Sequence, residues 1–392
     1  MRERTDMPHI AMLLSNGFRP DPRVAHEAKA LVEAGCEVTV LCWDREDEFP
    51  ANEAVDGYRI DRVQSIPTGY GAGPRQLTRT PLFWREAVRR VLDLGADVVH
   101  CHDLDTLPAG WWLKRRLGVP LVYDAHEDYP ALMSLYLPNP MVSMLSWLEQ
   151  RLLRKVDYTI TASSVFADKL RNQGVDPVVT IGNYQPLAPF DVISPDEVEA
   201  ARSRLGLNAD DFAAAYIGGF SRNRQILPLI KAGRHLPTVR ILIWGDGYQR
   251  DQVEAAVRET QNASYRGWLP AEQVPLYTRA VDAIYYCLLS DYPGAVYNAP
   301  NTLSNAMAAG RPIIANDVGD LGRIIRETGC GILVPEPSPD AIRVAIELLQ
   351  DRAVRERMGE AGRRAAEMRY NWNTVAEQLY RVYEELGAGT PP

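Results

Sequence analysis

Short apolar, β-branched runs alternate along the chain with longer segments whose apolar residues recur every three or four positions, a rhythm that predicts βαβ units and parallel sheets, hence an α/β protein. His9–Leu14 reads as a first buried strand, residues 16–21 as a loop, and Pro22–Glu33 as a helix with Val24, Ala28, Leu31 and Val32 on one face and Gly35 past its end. Strands are expected at 37–42, 98–102, 121–123 and 158–162, with helices near 107–117 and 144–154. The stretch 180–195 carries prolines at 186, 189 and 195 and little periodicity, as a linker between two domains would. The rhythm then restarts, with strands at 213–217, 240–244, 283–287 and 312–315, helices near 225–232, 250–260 and 301–308, and two closing helices, the last ending near Leu386. We therefore expect an N-terminal domain at 1–183, a second domain at 184–366, and a closing segment at 367–392.

At 392 residues the chain is too long for a single ordinary core, which agrees with two domains. Its 43 Lys and Arg against 51 Asp and Glu leave a net charge of -8, so no broad field attracts nucleic acid and any anion must be gripped locally. Five cysteines, odd in number and without a Cys-x-x-Cys pair, argue against a disulfide framework and a thiolate zinc site and fit a reducing, cytoplasmic setting. No apolar run reaches the roughly 18 residues of a spanning helix, and none reads as a secretory leader.

Each half opens with a strand, a glycine-containing loop and a helix, which together aim backbone N–H groups and a helix dipole at an anion. In the first half the loop is Ser15-Asn16-Gly17, and in the second it is Gly218-Gly219 followed by Phe220-Ser221-Arg222-Asn223-Arg224. Neither half carries G-x-G-x-x-G directly after its first strand; Gly245-x-Gly247 comes late and Gly71-x-Gly73 precedes no evident helix start. A Walker-type phosphate loop is also missing.

Several ordered stretches are distinctive: residues 21–24 with Glu27 and Ala28; Val99-His100-Cys101-His102-Asp103; Asp124-Ala125-His126-Glu127; Ile243-Trp244-Gly245-Asp246-Gly247; Tyr265-Arg266-Gly267-Trp268; and residues 306–314. In this order and spacing they resemble the family 4 retaining glycosyltransferases of the GT-B fold, across almost the whole chain. The resemblance implies two Rossmann-like, doubly wound parallel-sheet domains facing a central cleft, the first binding an acceptor and the second a nucleotide-sugar donor. It also implies a final helix that crosses back to the first domain. In the family a G-R-x-x-x-x-K-G stretch grips the diphosphate; here Gly219 stands at the Arg position and Arg224 at the Lys position, with Arg222 nearby as a replacement cation. Gly17 and the backbone of Asn301, Thr302 and Leu303 complete the implied diphosphate site. The family's two glutamates, eight residues apart, fall on Tyr297 and Asn305, which become the implied sugar and ribose contacts. Gly245, Arg266, Trp268 and Leu269 are the implied base contacts.

His126 is the implied catalytic-side residue, a neutral imidazole beside the transferring sugar, with Glu127 and Asp128 able to orient the acceptor or act as base. Alone, each carboxylate also reads as a solvated loop residue. His100 and His102 share a face of their strand and border the site; a metal there is the lesser reading, and neither metal nor cofactor is expected. The implied activity is transfer of a hexose from a UDP- or GDP-sugar to a glycan or lipid-linked acceptor, in cell-surface polysaccharide or glycolipid synthesis. A catalytically degenerate scaffold or regulatory partner, or a nucleotide-sugar epimerase, are the alternatives. Five arginines between residues 74 and 92, with Trp84, Val88, Val91 and Leu92 on one face, together with Trp111, Trp112 and the apolar segment 131–147, suggest peripheral contact with an anionic membrane; ordinary core packing is the competing reading.

Overall fold

The alternation of strands and helices builds two separate sheets, seen in a computed structural model that describes residues 7–18, 21–68, 74–208 and 210–388, with backbone only at 74–77. Gly71, Gly73 and the Arg75 side chain thus lie outside the described residues. The chain divides into two compact units: Met1–Ile181 with Ala376–Pro392, and Gly182–Val375.

The first unit's sheet runs β1 (His9–Leu14), β2 (Glu37–Trp43), β3 (Asn52–Val55), β4 (Tyr58–Val63), β5 (Val98–His102), β6 (Leu121–Ala125), β7 (Tyr158–Thr161) and β8 (Val178–Thr180). Spatially the order is β3-β4-β2-β1-β5-β6-β7-β8. All neighbours pair in parallel except β3 with β4. That antiparallel pair was not anticipated, although Asp56-Gly57, both at positive φ (49° and 88°), make the two-residue turn that the right-handed twist of a hairpin favours. Strand β1 is buried along its whole length, as a parallel strand covered on both faces must be. Against β5 the helix Leu107–Leu117 approaches so closely that a Cβ on Gly110 would lie 2.2 Å from Cys101 Sγ, which fixes where the strand's carboxyl end emerges.

In the first unit two boundaries differ from the sequence reading by more than one residue. The helix expected from 144 begins at Asn139, because Pro140 in its first turn has a preset φ and no N–H to lose. β6 continues two residues beyond 123, since the charge of Asp124 is neutralised by buried partners rather than ending the strand.

The second unit's sheet comprises β9 (Phe212–Ile217), β10 (Val239–Trp244), β11 (Ala263–Tyr265), β12 (Ala283–Tyr286), β13 (Ile313–Asn316) and β14 (Gly331–Val334). Its order is β11-β10-β9-β12-β13-β14, all parallel. Three helices close the chain rather than two: Pro339–Gln350, Arg352–Met368 and Trp372–Glu385. In each sheet the strand order reverses beside the first strand, between β1 and β5 and between β9 and β12. Doubly wound sheets bind ligands at such switch points, at the carboxyl ends of their strands. All five cysteines are buried free thiols.

Candidate active site

At the carboxyl ends of β5 and β6 the first unit gathers a buried charge cluster. His102 and Asp124 are register partners, so two polar side chains meet inside an otherwise apolar sheet. Asp124 is the hub. Arg23, from the helix Pro22–Glu33, binds it in a fork, Nε to Oδ2 at 2.7 Å and Nη2 to Oδ1 at 2.6 Å, and its Nη1 donates to the Ile181 carbonyl at 2.7 Å. Asp124 Oδ2 also lies 3.0 Å from His126 Nε2 and 3.2 Å from His102 Nδ1. On its other side His126 Nδ1 is 3.6 Å from Asp103 Oδ2, and the His126 amide donates to Asp103 Oδ1 at 3.2 Å.

Asp103 holds a left-handed backbone (φ 60°), unusual for a residue with a side chain, and its amide donates to the Asp124 carbonyl at 2.9 Å. This turn is what aims its carboxylate at His126.

The charges follow from these contacts. Burial alone would push Asp124 upward, but Arg23 and then His126 hold it well below the usual carboxylate range. For His126 burial opposes the charge, yet Asp103 and Asp124 outweigh it and raise the imidazole to about 10. The sequence reading of a neutral His126 is therefore corrected: clamped between two carboxylates, it is an imidazolium that donates hydrogen bonds. Burial raises Asp103 to about 7, with His126 opposing and Asp105 and Glu127 adding. Burial likewise depresses His102, whose Nδ1 lies 3.0 Å from His126 Nε2 and 3.2 Å from Asp124 Oδ2.

Behind this row stand His100, whose ring stacks on His102 at 4.4 Å and whose Nδ1 meets the Tyr383 hydroxyl at 2.8 Å, and Glu27, 3.7 Å from His100 Nε2. Glu27, His100, His102 and Asp124 each place one donor atom within 4.8 Å of the others, a set of the kind a divalent ion accepts. The Arg23 guanidinium, also 3.3 Å from Glu27 Oε1, already brings a cation to these carboxylates.

Of the three expected catalytic residues, Asp128 is spent on structure. Its Oδ1 caps the short helix Tyr129–Met133 through the Ala131 amide and its Oδ2 is paired with Lys169. Glu127 is half-buried on the same loop. Gly17 is also displaced from its expected role. Its carbonyl accepts from Arg62 Nε at 3.1 Å, while the helix start behind it is capped by the Asp21 carboxylate, which accepts from the Val24 amide and repels an anion where one was expected.

In the second unit the loops that follow β9, β10 and β11 meet at the carboxyl ends of those strands. Gly218 N donates to the Trp244 carbonyl at 3.1 Å and Gly245 N to the Gly267 carbonyl at 2.9 Å. A Cβ on Gly245 (φ 146°) would lie 1.9 Å from the Gly218 carbonyl, so the two loops can touch only through glycine. The Tyr216 hydroxyl fixes the exposed Gly219 through its carbonyl at 2.7 Å. Arg224 bridges to Leu288 beside the switch point and lies over the Tyr286 ring at 4.9 Å, while the exposed Arg222 lies over Tyr248 at 4.1 Å.

The helix Asn301–Ala308 starts after Pro300 without a side-chain cap. The Leu303 amide, however, donates to the Pro300 carbonyl at 3.2 Å, so of the three expected amides only Asn301 and Thr302 suit an anion. Tyr297 ends the turn Ala295–Tyr297 and is half-buried, as is Asn305 in the helix that follows. The Arg266 side chain donates to Leu205 O at 2.9 Å and Ser264 Oγ at 3.1 Å, and so holds the preceding helix end. Trp268 is 53% exposed and Leu269 is buried.

Sequence reasoning did not assign Arg23, Glu27, Asp103 or Asp124 to the site. The signal was available, since Asp103 and Asp124 each sit next to or two residues before a histidine at a strand end.

Among the described residues no helix is long and apolar enough to cross a membrane. The basic helix Pro74–Leu94 packs as a core element. Phe83, Val88 and Val91 are buried, and Arg89 and Arg90 pair with Glu86, Asp93 and Asp61. Large exposed apolar residues lie on this helix at Leu82 and Leu92 and elsewhere in the unit at Trp112, Tyr136, Met144 and Trp147, the last under Arg151.

Two family models match the chain, "Glycosyl transferase 4-like domain" over residues 20–183 and "Glycosyl transferases group 1" over residues 197–365. An uncharacterized glycosyltransferase of Methanocaldococcus jannaschii is 25% identical over 91% of this chain and 92% of its own length. A D-inositol 3-phosphate glycosyltransferase of Mycobacteroides abscessus is 30% identical over 73% of this chain and 65% of its own. Among solved structures, sucrose-phosphate synthase from Thermosynechococcus elongatus aligns with a TM-score of 0.83 at 22% identity, over 97% of this chain and 99% of its own. HepE of Anabaena in complex with UDP-glucose aligns at 0.75 and 16% identity, over 96% and 99%.

Proposed function

Because the chain belongs to the family 4-type glycosyltransferases of the GT-B fold, we propose that it transfers a hexose from a UDP- or GDP-sugar, with retention, to a glycan or lipid-linked acceptor. The observation that carries this reading is the apposition of the Gly218-Gly219 and Gly245 loops at the β9 switch point, beside Arg224. The solved structure of similar fold that holds UDP-glucose supports the donor class.

In this scheme the bond from the anomeric carbon to the diphosphate breaks, the acceptor oxygen bonds to the same face, and its proton passes to the departing diphosphate. No protein nucleophile is required. Arg224 and the open amides of Asn301 and Thr302 balance the leaving group's charge. Tyr297 and Asn305 offer hydroxyl and amide hydrogen bonds where the family places glutamates. In the first unit the His126 imidazolium, whose Nε2 and Nδ1 face Asp124 and Asp103, supplies a fixed positive charge, and Glu127 orients the acceptor. Positioning and charge complementarity, rather than a bound metal or cofactor, carry the proposed catalysis.

The test is calorimetric titration with UDP and GDP, followed by turnover with the sugars of whichever binds. Arg224→Ala should weaken that binding by about 1.5–3 kcal/mol, the range for a charge-assisted hydrogen bond. Unchanged affinity would show the diphosphate site to be misplaced, and absence of turnover with any donor would favour a non-catalytic partner.

A further inference from the structure

A second charged cavity lies in the second unit at the opposite, amino-terminal ends of the strands. Its volume is about 800 Å³, within the range of small-molecule sites. Residues just before β9 and β12, the turn between the helix Asn301–Ala308 and β13, and one face of the helix Arg352–Met368 line it.

Its interior charge is uneven. Asp282 accepts from Arg202 Nη1 at 3.1 Å and from the Ala213 amide at 2.9 Å, and lies 3.6 Å from Arg355 Nε, so its oxygens are committed. Arg311 lines the same cavity. Its Nη2 donates to the Arg279 carbonyl at 2.5 Å, but its buried Nε has no hydrogen-bond partner. An arginine left with an unanswered buried donor among other guanidinium groups is costly in an empty site and favourable beside an oxyanion. Burial works against the Arg311 charge; Asp282 supports it, but Arg279, Arg202 and Arg355 oppose it, and the net shift is downward. The floor is rigid, because a Cβ on Gly359 would lie 2.2 Å from the Gly310 carbonyl, so helix and turn are locked against each other.

We propose that this cavity binds a phosphorylated sugar, its phosphate taken by Arg311 and Arg355 and its hydroxyls by Asp210, Glu356 and Thr238, which share the lining. The space exceeds what a lone phosphate fills, and carboxylates beside guanidinium groups suit a ligand that is an anion at one end and a polyol at the other. The site is separate from the donor loops, which stand at the carboxyl ends of the same strands, and the inference does not depend on the donor reading.

The experiment is calorimetric titration of the full chain, with and without excess UDP, using a hexose 6-phosphate, inorganic phosphate and the free hexose as probes. One equivalent of the hexose 6-phosphate should bind whether or not UDP is present, more tightly than inorganic phosphate. Arg311→Gln should weaken it at least tenfold, while Arg224→Ala leaves it unchanged. Amide exchange on the wild-type chain gives a second readout that needs no variant: the hexose phosphate should slow exchange at 310–312 and 352–364. Absence of binding, displacement by UDP, equal affinity for inorganic phosphate, unaltered affinity in Arg311→Gln, or unchanged exchange in those segments would each overturn the proposal.

Discussion

Replacing Asp124 by Asn removes one charge from a place where several others depend on it. The side chain keeps its shape and one acceptor oxygen, but Arg23, which it binds through two contacts of 2.6 and 2.7 Å, and the His126 imidazolium 3.0 Å away lose their shared anion. Both members of the Arg23–Asp124 pair are essentially buried, at 5% and 0% side-chain exposure, so water cannot take the carboxylate's place. Breaking such a pair from one side costs about 3–5 kcal/mol, mostly the penalty of a stranded charge. For a unit of this size, where 1 kcal/mol moves the midpoint by about 2–4 °C, the first unit's transition should fall by roughly 6–20 °C. Scanning calorimetry measures this, and a cycle with Arg23→Met identifies its origin. If the cost is a stranded guanidinium, the double variant is less damaged than the sum of the two single variants. A loss under about 1 kcal/mol, or strict additivity, would refute the hub role given to Asp124.

The same cluster sets a pH dependence. His126, raised to about 10, contributes stability that is complete below its unfolded value near 6.5 and is lost as pH rises through 10. Glu27, which burial and Asp124 raise to about 8, and Asp103, raised to about 7, bind protons more tightly folded than unfolded, so their contributions fade from about pH 4 up to those values. The first unit's melting temperature should therefore decline between pH 7 and 10, and His126→Gln should flatten that decline; an unchanged slope in calorimetry would contradict the clamp. In NMR titration the His126 ring should stay protonated above pH 8, and Asp103→Asn should lower its midpoint by about 1–3 units, the usual effect of one adjacent opposite charge. Gly245→Ala, whose Cβ would lie 1.9 Å from the Gly218 carbonyl, should reduce UDP binding more than tenfold while the first unit melts normally. For Tyr136, Met144 and Trp147, flotation with anionic vesicles at low salt is the check: binding that falls in Trp147→Ala supports peripheral contact, and no binding by the wild type removes it.

What the sequence disclosed and what it withheld divide along a physical line. A continuous apolar run reports full burial and periodicity reports burial on a face, so the strand His9–Leu14 and the helices Pro22–Glu33, Leu107–Leu117 and Asn301–Ala308 were readable to the residue. Glycines at strand ends report close backbone approach, but the sequence assigned Gly218-Gly219 to the diphosphate and Gly245 to the base without showing that the two loops touch. Charged residues inside a strand or helix carry no such periodic signal. Arg23 reads as a surface residue in the first turn of an amphipathic helix and Asp124 as the end of a strand. Only their separation of 101 positions, closed by the fold, turns two apparent surface charges into one buried fork. The same blindness put His126 in the wrong state, because adjacency in the motif does not show which charges surround its ring. The fold gives His126 a proton through Asp103 and Asp124, and of the two carboxylates it assigns Asp128, not Glu127, to a helix start and Lys169. Acid–base assignments in such a site depend on which charges the sheet register brings together, and register is set by the strands rather than by the motif that labels them.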